Sequence, residues 1–205
     1  MSEPTTATPE VGYRGSVGRD HLSRQDWVDA AYQTVIDDPT VSITIDSLSE
    51  RLGVTKGSFY HHFKDRTALI IELQQVRDKL VLDIAADADA VADPADRFRQ
   101  YCIDAFTSRG YLQMEVVMER ERVRYTEVDK ALRSVDDEAY EWQLQALKDL
   151  GFSPDEAPRH LRILKAASMG LILLMMHEGV SLPLEERVEF ANTIVDMAVS
   201  SAADC

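Results

Sequence analysis

The stretch Leu52-Gly53-Val54-Thr55-Lys56-Gly57-Ser58-Phe59-Tyr60-His61-His62-Phe63-Lys64-Asp65-Arg66 limits what this chain can fold into more than any other. It reads as a glycine-broken turn feeding a very short helix crowded with hydrogen-bond donors. Just upstream, Ile45, Leu48 and Leu52 have the i, i+3, i+7 spacing of a helix with one buried face. Thr44 suits its N-cap, because a hydroxyl there can accept an orphan N–H of the first turn. Gly53 supplies the left-handed residue that lets the chain leave that helix, and Val54 can fill the angle behind it. Lys56-Gly57-Ser58 opens the second helix, and Phe59 and Phe63, four apart, give it a buried stripe. Thr55, Lys56, Ser58, Tyr60, His61, His62 and Lys64 are left facing outward. The pattern is a helix-turn-helix whose second helix is directed at DNA. An ordinary helical hairpin with a basic face is the competing reading. It does not explain why Tyr, two His, Lys and Arg gather on one short segment of an otherwise acidic chain.

These residues resemble the DNA-binding domain of the TetR family of bacterial repressors. The likeness runs from about Leu22 to Leu73 and is strongest in Gly53-Val54-Thr55-x-Gly57-Ser58-Phe59-Tyr60-x-His62-Phe63-Lys64-x-Arg66-x-x-Leu69. This combination fixes turn, core and phosphate contacts together, so it is far more specific than a lone helix-turn-helix pattern. The chain departs from the family pattern in three places. Ser49 stands where a small Ala is usual, Asp37-Asp38-Pro39 ends the first helix where Gly is common, and the tail before Leu22 is long. None touches the recognition helix.

Length and composition agree with an all-α protein. A chain of 205 residues, 45% apolar, can bury the cores of one small and one larger domain. Long stretches between prolines lack alternating β-branched runs. Cys102 and Cys205 form no ligand spacing and read as free thiols in a reducing compartment. The N-terminus has no signal-peptide pattern, and the apolar run Met169–Met176 is far shorter than the roughly 20 residues of a membrane span. A soluble cytoplasmic protein without membrane contact is expected.

The net charge of −14 is unusual for a DNA-binding protein, so its distribution matters. Residues 14–66 hold seven basic and eight acidic groups and are nearly neutral, whereas residues 67–205 carry −11. The acid belongs to the body and the basic groups to the tip and arm. An acidic body helps present the tip to DNA at the expense of long-range attraction; solubility or a saline habitat accounts for it equally well.

Three regions follow. Residues 1–20, rich in Pro, Thr, Gly and Ser, read as a flexible arm, in which Arg14 and Arg19 either reach a minor groove or are simply solvated. Residues 21–81 form a TetR-type helix-turn-helix domain, with the motif at 44–63 and the start of a long fourth helix. In it, Ser23 caps the first helix and Asp65 the fourth. Residues 82–205 form a helical effector-binding and dimerisation domain, with helices expected at roughly 94–108, 110–124, 127–150, 155–178 and 184–202. In the last, Val188-Ala191-Val195-Ala198-Ala202 is a stripe small enough for another helix to approach closely.

The resemblance implies further features. The last two helices, about 155–202, would form a four-helix homodimer interface. The central helices would hold a small-molecule effector, with Tyr101, Phe106, Met114, Val117, Met118, Trp142 and Met169 as candidate lining and Cys102 and Tyr140 nearby. Met and aromatic residues at helical spacing are more often core than pocket. The charged segment Met118–Arg124 reads first as a surface ion-pair network and second as a ligand clamp. Lys56 and Gly57 are expected at base edges, and Thr44, Tyr60, His61, His62, Lys64 and Arg66 at phosphates of an operator duplex.

Catalysis finds no foothold. His160 and His177 lack partners at metal-ligand spacing, adjacent His61 and His62 point apart, and no nucleophile elbow or phosphate loop occurs. No cofactor and no metal are expected. The function expected is a repressor released from a pseudo-palindromic operator by a small, largely apolar effector. Two rivals stay open: a DNA-bound platform for a protein partner, and a small-molecule-binding or enzymatic bundle with a vestigial helix-turn-helix.

Overall fold

The computed structural model describes residues 22–132, 137–178 and 182–203. The proposed arm with Arg14 and Arg19, and Cys205, lie outside the described residues. The chain forms α1 (Arg24–Asp37), α2 (Ile45–Leu52), α3 (Lys56–Tyr60), α4 (Arg66–Ala88), α5 (Pro94–Thr107), α6 (Arg109–Arg124), α7 (Thr126–Leu132), α8 (Asp137–Asp149), α9 (Ala157–Glu178) and α10 (Leu184–Ala203). There is no strand among the described residues.

Local chemistry sets the helix starts. Ser23 and Asp26 cap α1 reciprocally, Thr44 and Ser47 do the same for α2, and the Asp65 carboxylate accepts the Ala68 N–H at 2.9 Å to start α4. Each such cap contributes about 1 kcal/mol. Gly53 ends α2 at φ 68°, the left-handed conformation that its missing Cβ allows. Ser49 is buried, and its hydroxyl donates to the Ile45 carbonyl at 2.7 Å, so the departure from Ala leaves no unpaired group. Of the helix expected over 127–150, the described residues form α7 and α8; residues 133–136 lie outside the described residues.

Two cores result. The first joins Trp27, Ala31, Leu48, Phe59, Phe63, Leu69 and Leu73 of α1–α4 with Met114, Val117 and Met118 of α6 and Val128 of α7. The second joins Val81, Phe98, Tyr101, Leu112, Leu147, Phe152, Leu161, Ala191, Val195 and Ala198. The small-residue stripe of α10 therefore has a partner within its own chain: Ala191, Val195 and Ala198 are buried where α10 lies along α5. Phe106 meets Phe190 edge-on at 5.2 Å, and Arg99 of α5 bonds Asn192 and Asp196 of α10.

Candidate nucleic-acid interface and its link to a cavity

The recognition helix is only five residues long, so its own hydrogen bonds cannot hold it. Aromatic packing does. Phe59 meets Trp27 of α1 edge-on at 5.2 Å and stacks on Phe63 at 5.3 Å, and both Phe side chains are buried. The Arg24 guanidinium covers Phe63 at 4.2 Å, donates to the His62 carbonyl and pairs with Glu72 of α4. With its inner face fixed, α3 and its flanks leave Thr55, Lys56, Gly57, Tyr60, His61 and Lys64 exposed and Ser58 and His62 half-buried. Tyr60 meets Phe59 edge-on at 5.4 Å yet is still 59% exposed, a large apolar area to leave in water.

Three expected contact residues are already engaged. The Thr44 hydroxyl is exposed but occupied by Ser47 in the α2 capping box. Lys56 pairs with Asp46 of α2 at 2.7 Å; both are well exposed, so the pair is weak and open to competition. Arg66 departs furthest from expectation. Its guanidinium turns inward, donating to the Ile43 carbonyl at 2.5 Å, pairing with Glu121 of α6 at 2.7 Å and lying over Tyr125 at 4.8 Å. A buried carboxylate holds that cation more firmly than an exposed phosphate position would. In this structure Arg66 joins the helix-turn-helix to α6.

Further bonds from α6 reinforce the junction. Arg120 donates to the Pro39 and Val41 carbonyls at 2.7 and 2.9 Å, and Gln113 and Arg109 each donate to the Ile36 carbonyl at 3.1 Å. Helix α6 also comes close to α1 at Gly110, where an added Cβ would lie 2.6 Å from the Tyr32 hydroxyl.

The other side of α6 lines a cavity of about 370 Å³ among α4, α5, α6, α8, α9 and α10. Tyr111, Leu112, Glu115, Glu119 and Arg122 contribute from α6, Phe98, Tyr101, Cys102 and Phe106 from α5, and Leu161, Leu164, Met169 and Ile172 from α9. Of the expected lining, Tyr101, Phe106 and Met169 meet here, with Cys102 and Tyr140. Met114, Val117 and Met118 do not: they sit on the opposite face of α6, buried in the first core. Trp142 is set back, its ring 4.6 Å from Tyr101 and its indole N–H donating to Asp89 at 3.2 Å. Arg77, Tyr111, Glu115 and Gln143 were not anticipated; a helical projection of 111–122 separates the two faces of α6 and could have found those on that helix.

The cavity wall is polar but internally matched. Arg77 pairs with Glu115 and with Asp78. Burial works against its charge, yet Glu115, Tyr111 and Asp78 outweigh that, holding the guanidinium protonated well above its ordinary value. Burial raises the Tyr101 and Tyr111 hydroxyls and pushes the Cys102 thiol up to about 12. The thiol is therefore neutral and a poor nucleophile near pH 7. The His160 ring packs tilted against Phe152 at 4.1 Å and bonds the Glu156 carbonyl; the His177 side chain lies outside the described residues. Among the described residues, no cluster of His, Cys, Asp and Glu could hold a metal, and no helix is long and apolar enough to cross a membrane.

Residues 28–73 match the family model of bacterial regulatory proteins, tetR family. Among solved structures, a transcriptional regulator from Rhodococcus sp. Rha1 shares 17% identity over 88% of this chain and 97% of that one, with a TM-score of 0.71. A regulator from Pseudomonas aeruginosa PAO1 shares 15% over 91% and 96%, TM-score 0.64. FadR from Bacillus subtilis, solved in complex with stearoyl-CoA, shares 14% over 87% and 98%, TM-score 0.65. No curated protein matches the sequence. Residues 28–73 thus match a TetR-type helix-turn-helix DNA-binding domain, and the described residues share the all-helical fold of these transcriptional regulators.

Proposed function

We propose that the protein is a homodimeric repressor that a small molecule in the cavity releases from a pseudo-palindromic operator. The observation that carries this reading is the two-faced helix α6, with the cavity on one side and the core of the DNA-binding domain on the other. A ligand that shifts α6 acts on Arg66 through Glu121 and on α4 through Glu115 and Arg77. Arg66 begins α4 directly after the recognition segment, so a change there moves the tip. FadR, solved with stearoyl-CoA, supports the reading by showing that this fold accommodates a ligand. The platform for a protein partner has no such observation in its favour.

In this scheme Lys56 and Gly57 meet base edges, while Thr55, Ser58, Tyr60, His61, His62 and Lys64 hold phosphates and register. Thr44 contributes through its place at the start of α2. The division at residue 81 is functional, since the DNA-binding core borrows α6 and α7 side chains. The second copy is placed on α9 and α10, where Ile163, Leu173, Leu174, Leu184 and Met197 are all more than half exposed. Five large apolar side chains left in water on these two helices suit an interface. Selection of operators from random duplexes tests the core of the proposal. A two-fold-related pair of half-sites about one helical turn apart, or a small multiple, is expected; a single half-site bound tightly by a monomer would refute it.

A further inference from the structure

We propose that the cavity takes a neutral, mainly apolar molecule bearing one hydroxyl or carboxamide, which docks on the Tyr101–Gln143 pair. This rests on the cavity being the effector site and narrows what that effector can be. Gln143 of α8 is only 8% exposed; its amide donates to the Tyr101 hydroxyl at 2.6 Å, and its carbonyl oxygen is buried without a hydrogen-bond partner. With that amide orientation the pair offers one free O–H donor and one free carbonyl acceptor. Rotating the amide by half a turn makes Tyr101 the donor and leaves a free N–H and a phenolic acceptor. Either way the pair presents one donor beside one acceptor. A hydroxyl or carboxamide satisfies both, whereas a carboxylate only accepts and an ammonium only donates.

The charges around the cavity point the same way. Arg77 is held by Glu115 and Asp78, Arg122 lies 3.9 Å from Glu119, and Lys165 stands 5.2 Å over the Tyr140 ring. Glu115 and Asp78 beside Arg77, and Glu119 beside Arg122, already occupy these charges, so an ionic ligand would have to displace a resident partner, at a desolvation cost that a neutral one avoids. Phe98, Phe106, Leu161, Leu164, Met169 and Ile172 supply the apolar remainder. At about 370 Å³ the cavity lies near the lower end of small-molecule sites, which run from roughly 300 to 1,000 Å³.

Calorimetry of the full-length protein with octan-1-ol, octanamide and octanoate at pH 7.5 tests this. The alcohol and the amide should bind at least about ten-fold tighter than the anion, the equivalent of one or two hydrogen bonds. Gln143→Leu should weaken both neutral probes about three- to ten-fold and leave octanoate unchanged. Tyr101→Phe, which removes a single oxygen, should do the same and serves if Gln143→Leu fails to fold by circular dichroism. Octanoate binding as tightly as octanamide, or variants that weaken all three probes alike, would overturn the neutral-ligand proposal alone. If none of the three binds the folded protein, the cavity is not a ligand site, and the effector reading fails with it.

Discussion

At the scale of single residues, Asp46, Arg66 and the buried acids of the cavity give the sharpest tests. Asp46 holds Lys56, a proposed DNA contact, in an exposed pair at 2.7 Å, so its negative charge lies beside the proposed interface. Asp46→Asn should therefore tighten binding to all duplexes by about 0.5–1 kcal/mol, without changing which operator is preferred; weaker binding in a filter or anisotropy titration would contradict it. Arg66→Met leaves the nearly inaccessible Glu121 carboxylate without its main partner. Denaturant unfolding should show a loss of about 3–5 kcal/mol, whereas a change in DNA affinity alone would restore Arg66 to the phosphates. Sequence puts Arg66 among the DNA contacts because it closes the basic segment and motif that begin at Gly53. Its partner in the structure, Glu121, is 55 residues away in α6, and no local pattern encodes that distance. Cys102, Tyr101 and Tyr111 are buried acids with raised folded values. Such groups contribute their full stability below their unfolded values and lose it as pH rises through the folded ones. The melting temperature should consequently fall from about pH 9 upward, where the free thiol begins to ionise. The decline should be shallower in Cys102→Ala; a flat profile to pH 11 would contradict the burial argument.

At the scale of elements, the caps and the recognition helix were legible because their signals are local. Ser23, Thr44, Gly53 and Asp65 each act within four residues, and Phe59 and Phe63 declare a buried face by spacing alone. Helix α6 was legible as a helix but not in its roles. Met114, Val117 and Met118 look like pocket lining by residue type, and only the packing of α6 between two cores reveals which domain they serve. Met114 is fully buried among the residues of the DNA-binding core. Met114→Ala should cost about 2–5 kcal/mol in unfolding, while the affinity of octanamide for the cavity stays within about two-fold. Loss of octanamide binding by a folded variant would show that the two faces are not separable. The α10 stripe teaches the same lesson: small residues announced close approach, and α5 of the same chain is the partner that makes it.

At the scale of the molecule, the acidic body and the withdrawn Arg66 both lower the expected electrostatic share of DNA binding. With Lys64 at a phosphate and Lys56 beside the backbone in each subunit of a dimer, the salt slope should be about −2 to −4. Replacing Leu173 and Leu174 by Glu on the exposed face of α9 should yield monomers in sedimentation and a large loss of operator affinity. Unchanged dimers would move the interface elsewhere. The central claim is that α6 couples the cavity to the DNA-binding tip, and coupling must be reciprocal. The direct test is calorimetry of octanamide with free protein and with protein saturated by a selected operator duplex. A ligand that favours the DNA-released form should bind the operator complex about 5- to 150-fold more weakly, corresponding to a coupling of about 1–3 kcal/mol. Equal affinities in the two titrations would mean that the cavity and the tip do not communicate.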